Sequence, residues 1–145
     1  MFIPLTATVA VAGQLDAVDL AAAAAAGFVA VVNNRPDGEA PGQPAGDTLR
    51  AAATAAGLSF TAIPIDHTGF NREQVAAMAA VLDAAPGPVL AFCRSGSRSA
   101  MLWALAEASR GGPADGIVAA AASGGFDVAG LRPTLVALAQ AAGAG

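Results

Sequence analysis

The sequence predicts an α/β fold in which a mainly parallel central sheet carries helices on both faces. Short strand-like runs, rich in β-branched or aromatic residues and bounded by turn residues, alternate with helical patterns as far as residue 110. Strands that are connected through helices pair in parallel by right-handed crossovers, so this alternation sets the sheet type. We expect residues 1–145 to form a single domain, because this length is too short for two ordinary ones.

Each element is predicted from its own local signals. Strands are expected at residues 8–12, 28–32, 59–65 and 88–92, with residues 2–5 as a further edge strand. Helices are expected at residues 17–26, 48–56 and 72–85, from the loop after Cys93 to residue 110, and at 114–122 and 132–142. Each of the first four helices is expected to open on a side-chain cap, which Asp16, Asp47 and Asn71 supply in the first three.

Composition excludes several classes of function. The net charge of −4, with no lysine, argues against a nucleic-acid partner, which would need a basic patch. The longest nearly apolar run, residues 20–32, is too short to span a bilayer, and no basic segment precedes Arg35. We therefore expect a cytoplasmic protein with no membrane partner. One cysteine and one histidine allow neither a disulfide nor a structural metal site, and we expect no cofactor.

The stretch from Cys93 to Ser99 holds the strongest functional signal. An apolar strand ends at Cys93, a short polar loop with one glycine follows, and a helix then begins. The first backbone N–H groups of a helix have no intrahelical partner, so this arrangement forms a cradle for an anion. The same positive field lowers the pKa of a thiol from its ordinary value of ~8.5, which makes Cys93 the candidate nucleophile.

The other loop residues have expected roles in binding an anion. Arg98 is expected to hold two oxygens of the anion with its planar guanidinium. Gly96 provides the backbone freedom for N–H groups to converge, and Ser99 either donates to the thiolate or caps the helix. Three further residues of the loop, expected at the rim or within the anion cradle, are Arg94, Ser95 and Ser97.

Three residues that follow neighbouring strands are weaker candidates. In an open parallel sheet, ligands bind beyond the carboxyl ends of the strands. Asp66 and His67 follow the carboxyl end of the third predicted strand. Asp66 is a candidate general acid, although both residues are also compatible with a polar loop that caps the next helix. Arg35 follows the second strand and either adds positive charge to the site or pairs with Asp37 or Glu39.

Several segments together resemble a known family. The loop Cys93–Arg98 has the Cys-x4-Arg length of rhodanese sulfurtransferases and is one residue shorter than the protein-tyrosine phosphatase signature. The remainder is similar to a small bacterial family with a dual-specificity-phosphatase-like fold, which also occurs fused to beta-lactamase-fold persulfide dioxygenases. The segments that carry this resemblance are 11–15, 32–39, 41–44, 63–65, 92–99 and 131–133.

This resemblance implies chemistry that depends on Cys93, with three hypotheses. The first is a sulfurtransferase that moves sulfane sulfur from a small anionic or persulfide substrate to a thiol acceptor, functionally linked to a persulfide dioxygenase. The short loop favours it, because a persulfide needs less room than a tetrahedral phosphate. The alternative is a phosphatase in which Arg98 holds the phosphate and Asp66 protonates the leaving oxygen. The third is a non-catalytic module that binds an anion or senses oxidants through Cys93.

Overall fold

A five-stranded sheet in the order β1-β2-β5-β3-β4 forms the centre of the protein. The computed structural model describes residues 1–144. The strands are β1 Ile3–Pro4, β2 Val9–Ala12, β3 Ala30–Asn33, β4 Ser59–Ala62 and β5 Val89–Phe92. Only the short edge strand β1 is antiparallel to its neighbour, and the other pairs are parallel. The sheet is therefore mainly parallel, as the sequence predicts, with β5 in its middle.

Six α-helices cover the two faces of this sheet. They are α1 Ala17–Ala25, α2 Gly46–Ala55, α3 Arg72–Ala84, α4 Ser97–Ser109, α5 Ala114–Ser123 and α6 Arg132–Ala144, with a short 3-10 turn Ala129–Leu131 before the last. Alternate residues of the strands are buried on opposite faces, where α1 and α2 pack on one side and α3 to α6 on the other. In β5, for example, Leu90 and Phe92 belong to the first core and Val89 and Ala91 to the second.

Some local predictions are confirmed and others are wrong. Asp16 and Asn71 each cap a helix as predicted, both within a reciprocal capping box. Asp47 does not cap α2, because that helix begins earlier, after Ala45, and has no side-chain cap. The helix after Cys93 has no side-chain cap either, since Gly96 occupies its N-cap position. The third predicted strand is shorter than expected and ends at Ala62.

The end of β5 brings together the segments that form the candidate site. The N–H of Cys93 donates to Ala12 O at 3.3 Å, and the N–H of Asn34 donates to Phe92 O at 2.8 Å. Beyond the ends of the strands, Ile65 N–H donates to Asn34 O at 2.9 Å. These bonds hold the chain after β3, β4 and β5 at one edge of the sheet. Within residues 1–144, no helix combines the length and the apolar character needed to cross a membrane.

Candidate active site

Cys93 lies at the floor of a loop that points its N–H groups at the sulfur. The residue is fully buried, and the N–H of Gly96 donates to its Sγ at 3.1 Å. Gly96 has a φ of +94°, in the left-handed region that glycine adopts without strain. A Cβ at this position would also lie 3.0 Å from the Phe126 ring, so the loop conformation requires glycine.

The environment of Cys93 favours the thiolate. Burial raises the pKa of the thiol, but the hydrogen-bond donors around the sulfur, led by the N–H groups of Ser99 and Ser95 and including that of Gly96, lower it further than burial raises it. The pKa of Cys93 is therefore below its ordinary value. The first turn of α4 adds its partial positive charge to the same place. A larger thiolate fraction near neutral pH makes Cys93 the candidate nucleophile on structural grounds as well.

Arg98 is fixed beside this sulfur by a carboxylate and a carbonyl. Its Nη1 donates to Glu39 Oε2 at 2.7 Å and to Ile65 O at 2.7 Å, while its Nη2 donates to Glu39 Oε1 at 2.8 Å. The hydrogen bonds to Glu39 raise the pKa of Arg98, and the negative charge of the neighbouring Cys93 raises it further. The guanidinium is thus held by three hydrogen bonds before any substrate is present.

The three bonds leave one edge of the Arg98 guanidinium free for a ligand. A guanidinium carries five N–H donors in a fixed plane, and Glu39 and Ile65 take three of them. The remaining two are Nε–H and the second proton of Nη2, which lie on the same edge. Two parallel donors on one edge match two oxygens of a tetrahedral anion.

A second arginine supports the first through Glu39. Arg35 is buried, its Nε donates to Glu39 Oε1 at 2.9 Å, and its Nη1 donates to Gln14 Oε1 at 3.0 Å. Of the two acids that the sequence offers as partners for Arg35, the structure selects Glu39. The hydrogen bond from Arg98, with further support from Arg35, lowers the pKa of Glu39 from its ordinary value of 4.5 to about 2. Arg98 and Arg35 carry two positive charges and Glu39 carries one negative charge, so the three side chains together place a net positive charge beside Cys93.

Three predicted loop residues lie at the surface. Arg94, Ser95 and Ser97 are exposed, and the hydroxyls of the two serines are 3.3 Å apart. Exposure of the Arg94 side chain is compatible with a charge at the rim of the loop. The backbone of Ser95, by contrast, contributes an N–H to the Cys93 sulfur.

Asp66 and His67 lie on an exposed loop one residue beyond the Ile65 carbonyl that holds Arg98. The Asp66 carboxylate accepts hydrogen bonds from the hydroxyl and the N–H of Thr68, which lower its pKa. In this arrangement Asp66 is a carboxylate near neutral pH. Asp66 is therefore next to the site, but its side chain forms its hydrogen bonds within the turn, with Thr68.

No metal-binding cluster accompanies this site. Within residues 1–144, no group of three or more His, Cys, Asp or Glu side chains is arranged to hold a metal ion. The arrangement of Cys93, Arg98 and the convergent N–H groups can instead bind a small oxyanion and attack it with sulfur.

With this geometry established, comparison with known proteins identifies the family. Residues 2–110 match the family described as "Beta-lactamase hydrolase-like protein, phosphatase-like domain". The chain belongs to this phosphatase-like domain family. A beta-lactamase hydrolase-like protein from Agrobacterium fabrum is 38% identical over 101 residues, and a second from Xylella fastidiosa is 37% identical over 98 residues. The matches cover 70% and 68% of this chain, but in each case only 23% of the relative's length.

Solved structures confirm the predicted fold. A candidate phosphatase from Neisseria meningitidis is 28% identical, with a TM-score of 0.78 over 94% of this chain and 96% of that one. PTPMT1 is 15% identical, with a TM-score of 0.72 over 99% of this chain and 97% of that one. The phosphatase-like domain family therefore has the protein-tyrosine and dual-specificity phosphatase-like fold. These similarities agree better with the phosphatase hypothesis than with the sulfurtransferase hypothesis, which none of them supports.

Sequence reasoning missed the residues that hold the site together. It considered Glu39 only as a partner of Arg35, and it gave no role to Gln14 or to the carbonyl of Ile65. It gave no role to Asn34 either. Residues 33–39 form a polar run in an alanine-rich chain. This run is the sequence signal from which a role for Glu39 and Asn34 could have been predicted.

We predict that the ion pair of Glu39 makes stability depend on acid pH. Because its folded-state pKa of about 2 lies below the ordinary 4.5, the carboxylate contributes stability that is complete above pH 4.5 and lost as the pH falls toward 2. Glu39→Gln should lower the free energy of unfolding near pH 7. The difference in free energy of unfolding between this variant and wild type should become smaller as the pH falls from 4.5 toward 2. Urea titrations from pH 7 to pH 3 measure this difference.

The matched control is Glu73→Gln, which changes an exposed glutamate in the first turn of α3. We expect this variant to stay close to wild type throughout the same pH range. A Glu39→Gln difference that is constant with pH would contradict the assignment of the ion pair.

Proposed function

We propose that this protein hydrolyses phosphate monoesters through a phosphocysteine at Cys93. The observation that carries the proposal is the free edge of the Arg98 guanidinium beside a buried sulfur with a lowered pKa. A phosphoryl group offers two oxygens to that edge and a third to the N–H groups of the loop. Because Glu39 fixes the guanidinium beforehand, little reorganisation accompanies the build-up of charge in the transition state.

The first chemical step transfers the phosphoryl group to sulfur. The Cys93 thiolate attacks phosphorus, an S–P bond forms, and the P–O bond to the leaving group breaks. The leaving oxygen takes a proton from Asp66 when that carboxyl group is protonated, and otherwise from water. Throughout this step, Arg98 holds two of the non-bridging oxygens.

The second step releases phosphate and restores the enzyme. Water attacks phosphorus, loses a proton to the surroundings, and the S–P bond breaks with its electron pair returning to Cys93. The N–H groups of Ser95, Gly96 and Ser99 stabilise the returning thiolate, as they do in the free protein. The same donors therefore make sulfur a nucleophile in the first step and a leaving group in the second.

Sulfur transfer is a second candidate that one feature of the site favours. Asp66 is ionised near neutral pH through its bonds to Thr68, and sulfur transfer needs no acid at this position. The Cys93 thiolate would attack the outer sulfur of thiosulfate, and the S–S bond would break with its electron pair leaving on sulfite. The resulting persulfide would pass its outer sulfur to an external thiol and regenerate the Cys93 thiolate.

The biological setting remains a set of predictions. The thiol acceptor, the link to a persulfide dioxygenase and the cytoplasmic location come from the sequence and its resemblance. The single domain over residues 1–145 also stays a prediction, since the family match ends at residue 110. A purely anion-binding or oxidant-sensing module is the outcome if no turnover is found.

We expect Cys93→Ser to abolish turnover of an aryl phosphate and Arg98→Lys to reduce kcat/KM by roughly 10²–10³-fold, because lysine keeps the charge but loses the two-donor edge. Steady-state kinetics with the purified chain measure both effects. Arg110→Lys is the matched control, since Arg110 lies at the other end of α4 and pairs with Asp83 and Glu107. Unchanged turnover in Cys93→Ser would rule out the proposed nucleophile.

The role of Asp66 as an acid predicts a specific pH profile. Thr68→Val removes the hydroxyl that lowers the pKa of Asp66, so the pKa rises and the protonated acid persists to higher pH. For an alkyl phosphate, whose leaving group needs a proton, the fall in kcat with rising pH should shift to higher pH. Asp66→Asn should remove that fall, and a profile unaltered by Asp66→Asn would exclude Asp66 as the acid.

A further inference from the structure

Asn34 is a buried polar residue behind the nucleophile, and the proposed reaction gives it no role. It follows β3 directly and is fully buried, as is Ser99 in the first turn of α4. Its Nδ2 donates to Ile63 O at 2.9 Å, and its Oδ1 accepts from the Ser99 hydroxyl at 2.8 Å. Its backbone is also fixed on both sides, through Phe92 O and Ile65 N–H. The side chain therefore has one orientation.

This orientation determines which acceptor receives the hydroxyl proton of Ser99. A backbone carbonyl only accepts hydrogen bonds, so the amide N–H₂ of Asn34 must face Ile63 and its oxygen must face Ser99. An amide oxygen only accepts as well, so the hydroxyl of Ser99 must be the donor to Asn34. The Ser99 hydroxyl also lies within hydrogen-bonding reach of Cys93, but it has a single proton and cannot give it to Asn34 and to Cys93 at the same time.

Two acceptors therefore compete for one proton. When Ser99 donates to Asn34, its lone pairs face the sulfur, which suits a neutral thiol that donates its own proton. When Ser99 turns toward a thiolate, it stabilises the negative sulfur but leaves the buried Asn34 Oδ1 without a donor, which has a cost. The charged groups around the sulfur are Arg98, with Glu39 and Arg35 behind it. Within residues 1–144, none of the three forms a hydrogen bond with the Asn34 side chain.

We propose that Asn34 is a positioning residue that holds the Ser99 hydroxyl away from Cys93 and so limits how strongly the thiolate is stabilised. This inference rests on Cys93 being the nucleophile of the proposed function. This limit favours the reaction, because a thiolate with too low a pKa is a weak nucleophile. Ser99 is then free to turn toward sulfur when the S–P bond breaks and the electron pair returns there.

The test is a titration of the Cys93 thiolate by its ultraviolet absorbance, in the full chain, which contains only this cysteine. Asn34→Leu removes the competing acceptor, so the titration midpoint should move to lower pH. At a fixed pH below the wild-type midpoint, the thiolate fraction should rise roughly two- to tenfold, the factor that corresponds to one net hydrogen bond. Ser99→Ala should move the midpoint in the opposite direction.

The double variant separates positioning from a merely structural role. In the Ser99→Ala background there is no hydroxyl to redirect, so adding Asn34→Leu should leave the midpoint unchanged. A shift of equal size in both backgrounds would overturn the proposal, and so would a folded Asn34→Leu variant with the wild-type midpoint. Because the readout is titration and not turnover, failure of the phosphatase proposal would appear separately, as a normal shift without hydrolysis.

A second variant covers the possibility that Asn34→Leu does not fold. Asn34→Asp has the same shape, and burial beside the Ile63 carbonyl keeps its carboxyl group protonated, so its O–H donates to Ile63 O and its carbonyl oxygen accepts from Ser99. A carboxylic acid oxygen is a weaker acceptor than an amide oxygen, so the midpoint should move to lower pH with Ser99 present and stay unchanged in Ser99→Ala. Equal shifts in the two backgrounds would contradict the proposal.

Discussion

The ion pair between Glu39 and Arg98 is the interaction on which the site depends. Both oxygens of the carboxylate hold the guanidinium, at 2.7 and 2.8 Å, and Arg35 holds the carboxylate from the other side. A charge pair of this geometry fixes both position and plane, which a single contact would not. Because Glu39 lies in the segment after β3 and Arg98 belongs to α4, the pair also joins that segment to the helix that follows Cys93. Removing it would leave the nucleophile in place without an oriented partner.

The site shows how nearby donors can offset the cost of burying a charge. A fully buried sulfur should resist ionisation, yet the N–H groups of Ser95, Gly96 and Ser99 lower the pKa of Cys93 overall. These groups come from a loop whose shape depends on the positive φ of Gly96 and on the first turn of α4. The phosphatase-like fold supplies this arrangement at the end of its central strand, where backbone donors and ligands meet in α/β sheets.

Local sequence signals predicted the parts of the structure that local chemistry determines. The individual strands, the caps at Asp16 and Asn71 and the loop after Cys93 are each encoded within a few residues, and the alternation of strands and helices indicates the parallel sheet. The Glu39–Arg98 pair is not, because 59 positions separate its partners and only the completed sheet brings them together. Asp47 failed as a predicted cap for a related reason, since α2 begins earlier along the chain and places that residue in its first turn. Spacing within the loop likewise favoured sulfur chemistry, whereas residues 2–110 match a phosphatase-like domain family.

If the loop presents an activated Cys93 to a phosphoryl group, as we propose, a covalent intermediate must form on that residue. Intact mass spectrometry after rapid quenching from an aryl phosphate should show one phosphoryl group on the wild-type chain and none on Cys93→Ser. Parallel samples treated with thiosulfate would reveal a persulfide as the gain of one sulfur atom. A phosphoryl adduct that requires Cys93 is the predicted result. A sulfur adduct on Cys93, with no phosphoryl adduct from any ester, would contradict the phosphatase proposal and assign the site to sulfur transfer.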